Sequence, residues 1–138
     1  MNEAIVILAH GSRDPSWRHN IEAMAEALRN QSPNNPVACA YLELCGPSLD
    51  EVAQDLVTQG VQQMRVLPLF FGIGKHARED IPERLSAVEQ AHPQLRTQLL
   101  PAAGDDAGVR AAVVAMALAS SETPRIMPTD SSSAGPHQ

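Results

Sequence analysis

The chain has 138 residues, and 43% of them are hydrophobic, so it has the length and the apolar content for one domain with a sizeable core. Its formal net charge of −6 argues against a nucleic-acid partner, because binding to phosphates requires a basic face. It has two cysteines without CxxC spacing and shows no secretory signal or membrane-length apolar run. These features predict a soluble cytoplasmic protein without a membrane partner.

The periodicity of apolar residues alternates between strand and helix patterns four times along the chain. The predicted strands lie near residues 4–9, 37–44, 64–71 and 95–100. The predicted helices lie near 15–30, after a capping pattern at Ser48-Leu-Asp-Glu51, after a second capping pattern at Asp80-Ile-Pro-Glu83, and after Asp105 or Asp106. This alternation predicts an α/β domain in which a four-stranded parallel sheet is flanked by helices.

Apolar stripes indicate which faces of the third and fourth helices are buried. Ile81, Leu85 and Val88 are expected to face inward from the third helix. The predicted buried stripe of the fourth helix consists of Val109, Ala112, Val113, Met116 and Ala117. Residues 121–138 lack periodicity and are rich in Ser and Pro, so we expect a disordered tail after a domain of residues 1–120.

Two histidines and a glutamate follow the ends of three predicted strands. His10 follows the first strand, Glu43 ends the second, and His76 lies in the glycine-containing loop after the third. Right-handed crossovers place all of these strand ends at one edge of a parallel sheet, where α/β proteins bind their ligands. Two imidazoles and a carboxylate are suitable ligands for divalent cobalt, nickel, iron or zinc.

Each of these side chains also has a simpler interpretation. His10 fits equally well a histidine at a strand end that donates to a backbone carbonyl. Glu43 fits an ordinary exposed carboxylate at the end of a strand. His76 lies in a glycine-flanked loop, and such loops favour a functional role.

The residues around the candidate site leave similar alternatives. Gly72 and Gly74 allow positive φ and close approach of a ligand, but turn geometry explains them as well. Phe70 and Phe71 end an apolar strand, so we expect them in the core rather than as a stacking platform. Trp17, the single tryptophan, either covers a flat ligand or anchors the packing of the first helix.

Three segments of the chain resemble a known family. They are Ile7-Leu-Ala-His-Gly-Ser-Arg13, then Ala40-Tyr-Leu-Glu-Leu44 with Pro47-Ser48-Leu49, and Val66-Leu-Pro-Leu-Phe-Phe-Gly-Ile-Gly-Lys-His-Ala-Arg-Glu-Asp-Ile-Pro82. The chain is similar in these segments to the short single-domain class II chelatases of the CbiX and SirB type. Those sirohydrochlorin chelatases insert cobalt or iron into a modified tetrapyrrole. The resemblance extends from residue 1 to about residue 118.

The resemblance implies a three-layer chelatase-like (flavodoxin-like) fold and a lyase-type activity. It implies that His10, Glu43 and His76 bind the metal and also carry the catalysis. The metal, Co²⁺, Fe²⁺ or Ni²⁺, is then a co-substrate, and no tightly bound cofactor is expected. Because larger chelatases enclose the ring between two similar lobes, the resemblance also implies a homodimer.

A second group of residues is assigned to binding of the substrate. Sirohydrochlorin carries eight carboxylates, so Arg13, Lys75 and Arg78 are candidates for steering or pairing with them. Their alternative is ordinary solvated charge at the ends of helices. The flanking Gly11, Ser12 and Gly74 are assigned to the same substrate-binding set.

Two other functions remain open at this stage. A metal- or tetrapyrrole-carrying binding protein would hold the same residues without turnover. A hydrolase or phosphatase would use His10 as nucleophile or base, but the chain lacks an Arg-His-Gly order and a GxSxG elbow. The inserted metal, and the choice between sirohaem and cobalamin biosynthesis, are not decided by these residues.

Overall fold

A computed structural model describes residues 2–119 and contains one four-stranded parallel sheet in that range. The strands are β1 (Glu3–Ala9), β2 (Val37–Tyr41), β3 (Gln63–Pro68) and β4 (Arg96–Leu99). Their order across the sheet is β2-β1-β3-β4, and every neighbouring pair is parallel. The predicted parallel α/β fold is confirmed, although β2 and β3 end at Tyr41 and Pro68, three residues earlier than predicted.

The helices alternate with the strands as the periodicity indicates. They are α1 (His19–Gln31), α2 (Leu49–Thr58), α3 (Lys75–Ala91) and α4 (Ala107–Leu118), and short 3-10 turns cover Pro15–Arg18 and Ala103–Asp105. Ser48 caps α2 through the predicted capping box, because its hydroxyl accepts from the Glu51 N–H while the Glu51 carboxylate accepts from the Ser48 N–H. Gly60 follows α2 with a φ of +89°, which a glycine adopts without strain.

The prediction that α3 begins after Asp80 is wrong. The helix begins at Lys75, and Gly74 occupies its N-cap position. The Asp80 carboxylate does not cap a helix but accepts from Arg84 Nε one turn later, at 2.7 Å. Pro82 therefore lies inside α3, where it lacks the N–H that would bond to the preceding turn.

The sheet is covered on both faces. On one face, Ala4, Val6 and Leu8 of β1 pack with buried residues of α2 and α3, including the predicted Ile81, Leu85 and Val88. On the other face, Ile7 and Ala9 pack with Ile21 and Ala25 of α1. The alternation of β1 side chains between the two faces produces a three-layer domain.

Glu89 of α3 is fixed to Thr97 of β4 by two hydrogen bonds. The Thr97 main-chain N–H and its hydroxyl each donate to Glu89 Oε2 at 2.7 Å. These donors stabilise the carboxylate and hold the pKa of Glu89 below its ordinary value. The pair fastens the C-terminal half of α3 to the edge strand.

Among the described residues, 107–119 belong to a unit distinct from residues 2–106. No residue of α4 is buried, so the buried stripe predicted for that helix is not found. An apolar stripe on a single helix needs a packing partner before it is removed from water. The predicted tail, residues 121–138, lies outside the described residues, and within those residues no helix has the length and apolar character needed to span a bilayer.

Candidate active site

Three loops that leave the carboxyl edge of the sheet build the candidate site. His10 directly follows β1, Glu43 lies in the loop after β2, and His76 lies in the first turn of α3 after the β3 loop. Since β1 is between β2 and β3 in the sheet, its loop is adjacent to both of the others. The topology thus assembles three side chains that are far apart in sequence.

His10 and Glu43 are in direct contact. His10 Nε2 lies 2.9 Å from Glu43 Oε2, a distance at which the imidazole N–H donates to the carboxylate. Both side chains remain accessible, with 58% and 57% of their surfaces exposed. A solvent-accessible pair of one nitrogen and one oxygen donor is suited to exchange its shared proton for a metal ion.

Gly11 makes this contact possible. Its φ is +114°, and a Cβ on residue 11 would lie 1.7 Å from the carbonyl oxygen of Glu43. Around this close approach, the main-chain N–H groups of Leu42 and Glu43 donate to the His10 carbonyl at 3.1 and 3.0 Å. The two loops are therefore held together through their backbones, and the absence of a side chain at Gly11 permits their packing.

A cleft of about 400 Å³ lies against the His10–Glu43 pair. It is lined by His10, Leu42, Glu43, His76, Ala77, Glu79, Asp80, Glu83 and Arg84. The α3 carboxylates among them, Glu79, Asp80 and Glu83, follow His76 at steps of three, four and seven, which places them along one side of the helix. Four carboxylates and one guanidinium line the cleft, so its field favours cations.

Sequence analysis did not identify the carboxylates of α3 as part of the site. Glu79 lies ahead of the predicted helix, and Asp80 and Glu83 were interpreted as its capping pattern. With the helix starting at Lys75, their helical spacing from His76 would have been the signal. Arg84 also enters the lining, and its guanidinium is paired with Asp80.

The three predicted metal ligands share this cleft but do not converge. His10 and Glu43 bond to each other, and His76 contributes to the same lining. Across residues 2–119, no group of three or more His, Cys, Asp or Glu side chains is arranged closely enough to hold a metal ion. The structure therefore shows a pair and a nearby third imidazole rather than a closed cage.

None of the predicted substrate-binding residues belongs to the lining of the cleft. Arg13, Lys75 and Arg78 are exposed. Ser12 instead accepts a hydrogen bond from the Asp14 N–H through its hydroxyl, at 3.0 Å. Gly74 has a φ of −69°, so its role in the structure is that of a helix N-cap with an ordinary backbone conformation.

The prediction that Phe71 belongs to the core is wrong. Phe70 packs against the core, but Phe71 exposes 75% of its surface. Its backbone is held by Gly104, whose N–H donates to the Phe70 carbonyl at 2.8 Å. A Cβ on residue 104 would lie 2.0 Å from the Phe71 carbonyl oxygen, so this close approach of the two backbones requires glycine.

A larger cavity, about 710 Å³, lies beside edge strand β2 between α1 and α2. Burial raises the pKa of the Tyr41 hydroxyl there to about 12 and also raises the pKa of the Cys39 thiol. The Trp17 ring packs at a tilt against Tyr41, with centroids 6.1 Å apart, so Trp17 contributes to packing. No histidine lines this cavity, which separates it from the chemistry of the first cleft.

Comparison with known proteins places these features in a family. The CbiX family model matches residues 4–119. A sirohydrochlorin cobaltochelatase from Methanopyrus kandleri is 34% identical over 82 residues, which cover 59% of this chain and 57% of that protein. The chain thus spans less than two thirds of the length of this curated relative.

Solved structures show the same fold. A protein from Marinobacter aquaeolei VT8 named as a cobalamin (vitamin B12) biosynthesis CbiX protein has a TM-score of 0.79 and 33% identity, and the match covers 88% of this chain and 99% of that one. The sirohydrochlorin chelatase SirB from Bacillus subtilis subspecies spizizenii, solved in complex with cobalt, has a TM-score of 0.72 and 28% identity. That match covers 83% of this chain and 49% of SirB.

Proposed function

Because the chain belongs to the CbiX family, we propose that it is a lyase-type chelatase that inserts a divalent metal ion, cobalt foremost, into sirohydrochlorin. The observation that carries this proposal is the 2.9 Å contact of His10 with Glu43 in a cleft that His76 also lines. The names of the Methanopyrus relative and of the cobalt-bound SirB structure support cobalt and sirohydrochlorin as the substrates. Fe²⁺ and Ni²⁺ suit the same donors.

The metal enters as a substrate, and the donor set suits a temporary ligand. When the ion binds to His10 Nε2 and Glu43 Oε2, the proton that these atoms share is released to solvent. His76 supplies a further imidazole from α3. Nitrogen and oxygen donors in an open cleft release a metal more readily than a closed thiolate cage does. The carboxylates of α3 raise the local concentration of the cation before it reaches the pair.

The same side chains account for the proton balance of the reaction. Insertion of a divalent ion breaks two pyrrole N–H bonds, and both protons must leave the ring as its four nitrogens bind the ion. A neutral imidazole accepts a proton near neutral pH, so His10 is assigned as the leading base and His76 as its partner. Glu43 neutralises the metal and receives a proton when the ion leaves it.

The two substrates are attracted by residues of opposite charge, the metal by carboxylates and the tetrapyrrole by basic side chains. The cleft that receives the metal has four carboxylates in its lining, and these repel the eight carboxylates of sirohydrochlorin. Arg13, Lys75 and Arg78 lie outside the lining and are exposed, which supports their assignment to attracting the carboxylates at the periphery of the ring. This arrangement brings the pyrrole nitrogens toward the cleft while the three basic residues bind the carboxylates of the tetrapyrrole.

A homodimer is the assembly that fits this proposal. This chain corresponds to about half of SirB, since the match covers 49% of the SirB chain. A single cleft at one sheet edge contacts one side of a flat ring, so a second copy would supply the other side. Light scattering at micromolar concentration should give twice the 14.8 kDa of one chain, and a fully active species of 14.8 kDa would refute the dimer.

An anaerobic absorbance assay tests the activity. Sirohydrochlorin is mixed with Co²⁺, Ni²⁺ or Fe²⁺, and the spectral change on metal insertion is followed with and without the protein. We expect acceleration with at least one of these ions, and Co²⁺ foremost. Binding of metal and tetrapyrrole without any acceleration would instead identify a carrier protein.

A further inference from the structure

Two large apolar side chains are held out to solvent beside the cleft. Leu44, directly after Glu43, exposes 49% of its surface, and Phe71, in the loop after β3, exposes 75%. Both loops leave the same sheet edge as His10 and are its neighbours on either side. We propose that Leu44 and Phe71 form an apolar rim that contacts the face of the tetrapyrrole ring, a proposal that rests on the function proposed above.

The main chain fixes both positions of the rim. The residues before Leu44 are bonded to the β1 loop, with the Glu43 N–H donating to the His10 carbonyl at 3.0 Å. Phe71 is preceded by Phe70, whose carbonyl accepts from the Gly104 N–H at 2.8 Å. These exposed side chains thus project from backbones that the fold holds in place, which limits the entropy lost when a ligand covers them.

The backbone of Leu44 supports a role outside the core. Its φ is +69°, the left-handed region that a leucine rarely adopts and that glycine or asparagine tolerates better. Strained residues of this kind persist where function or the surrounding structure requires them. Leu44 is half exposed and belongs to neither of the two core clusters.

The rim supplies large exposed apolar side chains, whereas the lining of the cleft consists mostly of charged and polar residues. The cleft lining is dominated by carboxylates and imidazoles, which suit the metal but not the apolar face of a macrocycle. The basic residues Arg13, Lys75 and Arg78 suit the peripheral carboxylates of the ring. An apolar pair beside both groups provides the remaining contact, because a flat ring gains most from burial of its faces.

The test uses a double variant, Leu44→Asn with Phe71→Ser. Asparagine accepts the left-handed backbone at residue 44, so the loop is preserved while the apolar surface is lost. Met24→Ser is the matched control, because Met24 exposes 43% of its surface on α1, away from the rim. Leu44→Met with Phe71→Leu keeps the surface apolar and serves as the rescue variant.

The readout is binding of sirohydrochlorin without metal, measured by quenching of Trp17, the single tryptophan. We expect the double variant to raise the Kd for the tetrapyrrole on the order of tenfold or more, from the apolar burial that is lost. The Met24→Ser and rescue variants should keep the wild-type Kd. The loss should persist at high salt, and Co²⁺ binding and the oligomeric state should not change.

Three results would overturn the proposal that Leu44 and Phe71 contact the ring. These are an unchanged Kd in the double variant, a wild-type protein that binds no sirohydrochlorin, and a loss of binding that follows dissociation of the oligomer. The last result would show instead that Leu44 and Phe71 contact a second copy of the chain. A wild-type protein that binds the ring without accelerating metal insertion would refute the proposed activity. It would not contradict the proposed contact of Leu44 and Phe71 with the ring.

Discussion

Gly11 lies so close to the main chain of Glu43 that a Cβ on residue 11 would be 1.7 Å from the Glu43 carbonyl oxygen. Its φ of +114° is also unsuited to other residues. The contact sets the distance between the loops that carry the His10–Glu43 pair. The geometry of the His10–Glu43 pair therefore depends on the absence of a side chain at residue 11.

Gly11→Ala should accordingly separate the pair. We expect a loss of about 1–3 kcal/mol in the free energy of unfolding, and a loss of chelatase activity larger than the folded fraction explains. Gly72→Ala is the control, because a Cβ on residue 72 meets nothing within 4 Å. Urea titration together with the cobalt assay measures both effects, and equal activity in the two variants would refute the positioning role of Gly11.

Glu43→Gln should weaken metal binding while leaving the shape of the site. The amide keeps an oxygen near His10 Nε2 but loses the negative charge that attracts the ion. We expect the Kd for Co²⁺, measured by calorimetry without tetrapyrrole, to rise on the order of tenfold or more. Glu22→Gln, an exposed carboxylate on α1, should change nothing; equal Co²⁺ affinity in both variants would remove Glu43 from the metal site.

Lys75→Ala with Arg78→Ala should affect encounter with the ring rather than chemistry. Exposed charges outside the cleft lining contribute to steering and ground-state binding, so KM should rise while kcat stays nearly constant. Added salt should reduce the difference, because the Debye length falls below about 8 Å above 0.15 M. If the double variant keeps both the wild-type KM and its salt dependence, these residues are ordinary solvated charge.

Glu89 should make stability depend on pH. Its pKa is lowered in the folded state by the two donors of Thr97, so the unfolded chain binds more protons in the acidic range. The contribution of these hydrogen bonds to the free energy of unfolding is therefore present above the ordinary glutamate pKa. It is lost as the pH falls through the lowered pKa that Glu89 has in the folded state.

Urea titrations of wild type and Glu89→Gln across pH 3 to 7 measure this contribution. The free energy of unfolding of wild type should fall toward pH 3, and the variant should fall less over the same range. The difference between the two at pH 7 should be on the order of 1 kcal/mol, because the carboxylate is close to solvent. Parallel pH profiles for the two proteins would contradict the role of this pair.

The sequence predicts the fold well because its signals there are local. The apolar runs of β1 and β3 and the capping box at Ser48 are each read within a few residues, and all are found in the structure. The start of α3 was predicted wrongly because Gly74 caps it without a side-chain hydrogen bond, which leaves no sequence signal. Asp80 was instead interpreted as a cap, although it pairs with Arg84 inside the helix.

The sequence predicts which strand ends carry the site but not the contacts that shape it, because those contacts join residues that are far apart in the chain. The topology brings His10, Glu43 and His76 to one edge, and that follows from the order of strands. The backbone of Phe71 closely approaches Gly104, a residue more than thirty positions away in the chain. Contacts between backbones that are distant in sequence have no local pattern, so only the structure shows them.

The rate of cobalt insertion by His10→Ala tests the central claim most directly. His92→Ala is the control, because His92 follows the C-terminal end of α3, roughly 24 Å along the helix from His76. With sirohydrochlorin and Co²⁺ under anaerobic conditions, His10→Ala should be slower than wild type by roughly 10²-fold or more, and His92→Ala should match wild type. A His10→Ala variant that inserts cobalt at the wild-type rate would contradict the assignment of this cleft as the site of metal insertion.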